Sequence, residues 1–270
     1  MQRRTLGEEI EAFIDSRGFL SPNTVTSYRK VLFLFLREDC AVAEFLGRRS
    51  STSCRTYHRH PRAFYNWTIA KGWRESNPCD EVLLPKVQPT EAHFFSRDEI
   101  DSVVCAIRTS GSKSEKEVLV PVIRFVCQTG LRLSEVSALR WTWIEDSKLN
   151  LQSRNGFRTK SGRDERVFLT PEALTVLREV QERPSNSNVF AAPSPEWLSK
   201  RFTVWRSRAG LPRGSFHSLR HTCTSWMAMN GASAYVIKRH LRHSSITVTE
   251  RYMHLTPGNL SAQVTAALTS

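Results

Sequence analysis

The sequence predicts a mainly α-helical protein with one small β-hairpin, divided into a shorter N-terminal part and a longer C-terminal part. Three observations carry that expectation. Apolar residues recur at helical spacing over most of the 270 residues. One stretch, residues 148 to 169, changes to the alternating period of strands. One aperiodic segment with two prolines, residues 85 to 96, separates two periodic regions. Hydrophobic residues make up 40% of the chain, enough for one large core or two ordinary domains.

Residues 1 to 84 are expected to form a helical N-terminal domain. Ser21-Pro22 is a cap followed by proline at the first helical position. Val25, Tyr28, Leu32 and Phe35 then follow a helical stripe. A second helical pattern runs from about Ser51 to Lys71. It places Arg55, Arg59 and Arg62 on one face, either as DNA-backbone contacts or as a solvated surface. Pro61 lies inside this pattern and is expected to kink the helix or end its first half. Asn77-Pro78 closes the segment, and residues 85 to 96 are the expected linker.

Residues 97 to 270 are expected to form the second domain. Ser96-Arg-Asp-Glu99 reads as a capping box. Leu119 to Gln128 is an apolar helix, and Gly130 suits the left-handed position after its end. Leu149 and Leu151 alternate. Phe157 to Lys160 and Glu165 to Leu169 then flank Ser161-Gly162-Arg163-Asp164, which predicts a hairpin turning at 161 to 164. Helices resume at Pro171 and at Ser194-Pro195. Four short helical segments, punctuated by Gly210, Gly231 and Pro257, finish the chain.

The net charge is +13, mostly through arginine, whose planar fork suits bidentate phosphate contacts. The expected partner is nucleic acid. An anionic membrane surface is the main competitor, but no basic amphipathic helix carries a lipid-facing stripe. The longest apolar run, Val31 to Leu36, falls far short of the roughly 18 residues of a membrane span. The start, Met-Gln-Arg-Arg, lacks the apolar core of a signal peptide, so a cytoplasmic location is expected. None of the six cysteines pair as C-x-x-C, which suits reduced thiols.

Three clusters carry chemistry: Thr129-Gly-Leu-Arg-Leu-Ser-Glu135, His217-Ser-Leu-Arg-His221, and Leu241-Arg-His243 followed by Glu250-Arg-Tyr-Met-His254. Metal-free phosphodiester cleavage needs guanidiniums on the non-bridging oxygens, a nucleophile, a base and a proton for the leaving 5′ oxygen. Arg132, Arg220, His217, His243, Tyr252 and a lysine of the hairpin supply that set. His217 and His221 have a spacing that zinc ligands can have. The arginines among them, Arg220, Arg239 and Arg242, would repel a cation and attract a phosphate. No metal and no cofactor is expected.

The order Arg, Lys, His-x-x-Arg, His, Tyr resembles the tyrosine recombinase family, which includes phage integrases and Xer-type recombinases. Ser21-Pro-Asn-Thr-Val-Thr-Ser-Tyr28 and Gly72-Trp-Arg-Glu-Ser-Asn-Pro78 resemble its N-terminal domain. The resemblance implies a helical, SAM-like core-binding domain and an α+β catalytic domain that together clamp DNA. It implies that Arg132 and Arg220 bind the scissile phosphate and that His217 helps deprotonate Tyr252 or shuttles its proton. His243 would hydrogen-bond a phosphate oxygen, Lys160 would protonate the leaving oxygen, and Glu135 would support the site. Tyr252 would form a 3′-phosphotyrosine.

The implied partners are double-stranded DNA with specific sites and further copies of the chain, four protomers acting on two sites. The apolar stripe Leu260, Val264, Ala267 and Leu268 would dock on a neighbouring protomer or pack on its own core. The family pattern has glycine where Arg242 stands, a position arginine resists; Arg242 could itself reach a phosphate and is counted among the DNA-binding residues. Two rivals stay open: a type IB topoisomerase-like enzyme, and a non-catalytic DNA-binding protein on the same scaffold.

Overall fold

The computed structural model describes residues 4–86, 91–153, 157, 159, 162–181, 188–192 and 194–258. The chain forms two compact units, Met1–Thr90 and Glu91–Ser270. Among the described residues no helix is long and apolar enough to cross a membrane. All six cysteines are free, and only Cys105 is fully exposed.

The first unit is helical. Helix α1 (Leu6–Asp15) opens on a capping box between Thr5 and Glu8. Helix α2 (Pro22–Glu38) starts as the Ser21-Pro22 signal predicts, with the Ser21 hydroxyl accepting the Thr24 N–H. Helix α3 (Val42–Gly47) leads into α4 (Ser51–Ala70), capped by Ser50. Phe13 is fully buried, with edge contacts to Tyr28, Phe64 and Trp67 at ring distances of 5.1, 5.7 and 5.6 Å. Such contacts add to area burial as the main stabilising term.

Pro61 does not end α4, contrary to the expectation from its ring. The helix runs on to Ala70, because Pro61 lies on the buried stripe of Cys54, His58, Tyr65 and Thr68. Burial of that face offsets a missing backbone donor worth about 3 kcal/mol. The Asn77 side chain then ties the exit of the unit, donating to Asn66 Oδ1 at 2.7 Å and accepting the Cys79 N–H at 2.9 Å.

The stretch read as a linker is anchored at both ends. The Pro85 carbonyl accepts from Arg55 Nε at 3.1 Å. Phe95 is fully buried in the core of the second unit, its N–H donating to Thr222 Oγ1 at 2.9 Å. A large aromatic side chain at the end of an aperiodic segment outweighs the segment's lack of period.

The second unit opens with α5 (Arg97–Ser110) on the expected Ser96–Glu99 capping box. A π-helical turn, Glu115–Leu119, then feeds α6 (Val120–Thr129). Glu115 is buried beneath that turn and accepts from Trp205 Nε1 at 2.7 Å and Arg201 Nε at 2.5 Å. Burial raises its pKa, but these bonds and those from Ser112 outweigh it and hold it at about 2. Gly130 ends α6 at φ 61°, in the left-handed position the sequence predicts. Helix α7 (Leu133–Ser137) follows.

The sheet differs from the predicted hairpin. Strands β1 (Ile144–Glu145), β2 (Lys148–Leu151) and β3 (Glu165–Phe168) form one antiparallel sheet in that order. The partner of β3 is 148–151, not 157–160, with Leu149 opposite Val167 and Leu151 opposite Glu165. Leu149, Leu151 and Val167 are all fully buried, so one shared apolar face fixes this register. The tight turn lies at Asp146-Ser147, and the predicted strand 157–160 and turn 161–164 fall partly outside the described residues. Helices α8 (Pro171–Gln181), α9 (Pro195–Arg208), α10 (Phe216–Met229), α11 (Ala234–Leu241) and α12 (Thr247–Glu250) complete the unit. Its core is centred on Phe125, Phe202 and Trp205.

Candidate active site

Four chain segments meet beside the ends of α6 and α11. Arg132 occupies the N-cap of α7, immediately after the turn that Gly130 permits. Its Nη1 donates to Glu135 Oε1 at 2.7 Å, and its backbone N–H donates to the other oxygen at 2.8 Å. Glu135 is 1% exposed. Burial raises its pKa, but Arg242 and Arg132 beside it carry the balance below the usual carboxylate range.

Arg220 lies in the second turn of α10 and is buried. Its Nη1 donates to the Gly130 carbonyl at 2.5 Å and its Nη2 to the Leu241 carbonyl. One guanidinium thereby fixes the ends of α6 and α11 together. Burial, with Arg132 and Arg242 nearby, lowers its pKa to about 10, so it stays charged at neutral pH.

The histidines take different places. His217 is exposed on the first turn of α10, with its ring edge-on to His221 at 4.7 Å. His221 is half-buried, and its Nδ1 lies 2.5 Å from the Tyr252 hydroxyl, the rings 6.0 Å apart and inclined at 27°. His243 Nδ1 pairs with Thr249 Oγ1 at 2.9 Å. Burial, reinforced by neighbouring histidines and arginines, lowers both His221 and His243 to about 4. Both rings are neutral at pH 7 and can accept a proton or a hydrogen bond. Tyr252 is 5% exposed, and burial raises its pKa against the opposing pull of Arg220 and Arg251.

Two expected assignments move. Arg242, expected to present itself to DNA, is buried instead: its side chain is 6% exposed, and its guanidinium lies between Glu135 and Glu165 at 2.6 and 3.1 Å. Backbone strain and side-chain burial go together here, since Arg242 has φ 56° and ψ 46°. His221, read from sequence only as a rival metal ligand, is the residue that touches Tyr252. The i, i+4 spacing showed that it shares a helix face with His217 but not which ring faces the tyrosine.

Lys160 lies outside the described residues. Its neighbour Thr159 is buried and donates to the Arg163 carbonyl at 2.7 Å. Arg55, Arg59 and Arg62 share the exposed face of α4; Arg55 reaches the Pro85 carbonyl, and Arg62 pairs with Asp80 at 3.3 Å. Among the described residues no group of three or more His, Cys, Asp or Glu side chains could hold a metal ion.

Arg220 held by two backbone carbonyls, Arg132 held by Glu135, two neutral histidines and a buried phenol thus come together, a constellation suited to an anion and a nucleophile. Over residues 93–258 the chain matches the description "Phage integrase family". The chain belongs to the phage integrase family, the tyrosine recombinases.

This family member is 29% identical over 209 residues to the integrase of Haemophilus phage HP1, a match covering 77% of this chain and 57% of that protein. It is 24% identical over 277 residues to the tyrosine recombinase of Thermosipho africanus, covering 91% and 94%. The chain therefore spans little more than half of the phage protein and nearly all of the bacterial one. Two solved lambda integrase structures share its fold. A dimer bound to a COC' core site has a TM-score of 0.77 at 18% identity, covering 93% of this chain and 77% of that one. A tetramer bound to a Holliday junction has a TM-score of 0.74 at 18% identity, covering 90% and 79%.

Proposed function

We propose that this recombinase cuts and rejoins double-stranded DNA at specific sites through a covalent bond to Tyr252. The observation that carries the reading is the meeting of Arg132, Arg220, His221, His243 and Tyr252, drawn from four separate segments, with Arg132 anchored by Glu135 and Arg220 by two backbone carbonyls. Arg132 and Arg220 take the non-bridging oxygens of the scissile phosphate and stabilise the charge that builds there. The Tyr252 oxygen attacks phosphorus, its proton passing to the neighbouring histidines. The bond to the 5′ oxygen breaks, leaving a 3′-phosphotyrosine and a 5′ hydroxyl. Lys160 is assigned the proton for that leaving oxygen. His243, neutral and held by Thr249, donates its other ring nitrogen's hydrogen to the phosphate. Rejoining reverses the steps with a new 5′ hydroxyl, so bond energy is conserved.

The reading includes a tetramer acting on two sites, C-terminal residues docking between protomers, exposed arginines of α4 on the DNA backbone, and action in the cytoplasm. Those C-terminal residues, 259–270, lie outside the described residues. The net charge of +13 supports the DNA partner. The test begins by sequencing DNA trapped covalently on the protein. A nicked suicide duplex of that sequence should yield a covalent adduct with the wild type and none with Tyr252→Phe, which still binds it. A normal adduct yield from Tyr252→Phe would overturn the assignment.

A further inference from the structure

Arg242 stands at a left-handed backbone position and closes a buried charge network around the phosphate clamp. Its φ of 56° and ψ of 46° are those a glycine adopts freely and an arginine adopts only where its surroundings compensate. The compensation is visible. The side chain is 6% exposed, with Nη2 2.6 Å from Glu135 and Nε 3.1 Å from Glu165.

The backbone contributes as well. The left-handed turn presents two successive carbonyls to the clamp. The Leu241 carbonyl accepts from Arg220 Nη2, and the Arg242 carbonyl accepts from Arg132 Nη2 at 3.5 Å.

Arg132 lies 2.7 Å from Glu135 and 3.9 Å from Glu165. Arg242 adds a second guanidinium against the same two carboxylates, so that they draw less on the charge of Arg132 and more of it is left for an incoming phosphate. Glu165 is also the first residue of β3, so the same contact ties the start of that strand to the clamp.

We propose that Arg242 is a positioning residue for cleavage: it neutralises the Glu135–Glu165 pair with its guanidinium and aims the Leu241 and Arg242 carbonyls at Arg220 and Arg132. This rests on the recombinase reading, and two readouts keep the two apart. The first is the rate of adduct formation on the nicked duplex. The second needs no cleavage: the Nε–H resonance of Arg132 in arginine-labelled protein, assigned by loss in Arg132→Lys.

Arg242→Gly keeps the turn, since glycine takes the left-handed conformation without strain, and removes only the charge and the fork. Its melting temperature checks that it folds. The adduct rate should fall about 10- to 100-fold, the range over which outer-shell partners act, with DNA affinity changed far less. The Arg132 resonance should shift. Glu165→Gln alone should lose less rate than Arg242→Gly, since it leaves Arg242 on Glu135. In the double variant, Glu165→Gln should recover most of the lost rate and return the resonance towards its wild-type position, because the carboxylate drawing on Arg132 is gone. Additive effects, or an Arg242→Gly variant with wild-type rate and unshifted resonance, would overturn the proposal. Should the wild type form no adduct at all, the recombinase reading fails while the resonance cycle still decides the role of Arg242.

Discussion

His221 Nδ1 and the Tyr252 hydroxyl are 2.5 Å apart, and each is nearly or partly withdrawn from solvent. With its pKa lowered to about 4, His221 is a neutral acceptor across the working pH range. It orients the phenol, and a phosphate bound nearby would make its protonated form easier to reach. His221→Phe keeps a flat ring but no acceptor. The adduct rate is expected to fall about 100-fold, the lower end of what a positioned proton acceptor contributes, and His221→Gln should recover part of it. Single-turnover cleavage at several pH values checks this. An unchanged rate in His221→Phe, with a large loss in His217→Phe, would return the role to His217.

The two depressed histidines also set a pH dependence of stability. His221 and His243 fall from an ordinary 6.5 to about 4 in the folded protein. Below pH 6.5 the unfolded chain therefore takes up protons that the folded chain refuses, and folding weakens as pH drops towards 4. Above 6.5 both states carry neutral rings and the effect vanishes. Melting temperatures should fall between pH 6.5 and 4.5, and the slope should flatten in a His221→Gln/His243→Gln variant. Equal slopes would show that other groups dominate. Glu115 and Glu135, both held low, add losses of the same sign at more acid pH.

Arg220, proposed to bind the scissile phosphate, is also a structural tie. Removing it orphans the Gly130 and Leu241 carbonyls in a buried setting. Arg220→Ala should cost about 2–6 kcal/mol, one to three for each of the two buried carbonyls left unpaired. Arg220→Lys keeps the charge but cannot span both carbonyls, so it should lose cleavage and part of the stability. Urea denaturation measures the first effect. A loss under about 1 kcal/mol would mean that water replaces the guanidinium.

Gly130→Ala tests the turn that presents Arg132. The position has φ 61°, and an added Cβ would run into Leu241 Cδ1. Leu241 is itself fully buried and carries a carbonyl that Arg220 uses. The expected cost is about 1–3 kcal/mol from the backbone strain, with a fall in adduct rate beyond what the lost stability explains. Denaturation and cleavage assays on one preparation separate the two.

How far the sequence could be read depended on how local each signal was. The capping boxes at Thr5 and Ser96, the Ser21-Pro22 start and the left-handed Gly130 need only neighbours within a turn or two, and the structure carries them all. The order of arginines, histidines and tyrosine lies within three short motifs, which is why the family was legible. The sheet was not. The predicted hairpin joined nearby segments, whereas β3 chose the more distant 148–151 because Leu149 and Leu151 offer it an apolar face. Pro61 obeyed the buried stripe of α4 over its own ring. Arg242 was least legible: its partners Glu135 and Glu165 lie 107 and 77 residues away, and its contact with Glu135 can be seen only once the clamp is assembled.

The bond from Arg220 to the Leu241 carbonyl bears on the order in which the protein is made. A ribosome that has released the chain through α10 has delivered both clamp arginines and one of the carbonyls that hold Arg220, that of Gly130. The other, that of Leu241, lies 21 residues after Arg220, and Tyr252 comes 31 residues after His221. The group assigned as nucleophile is thus the last of the set to be synthesised. On that assignment, a nascent or prematurely terminated chain would hold its two clamp arginines before it had the tyrosine proposed to cut a strand.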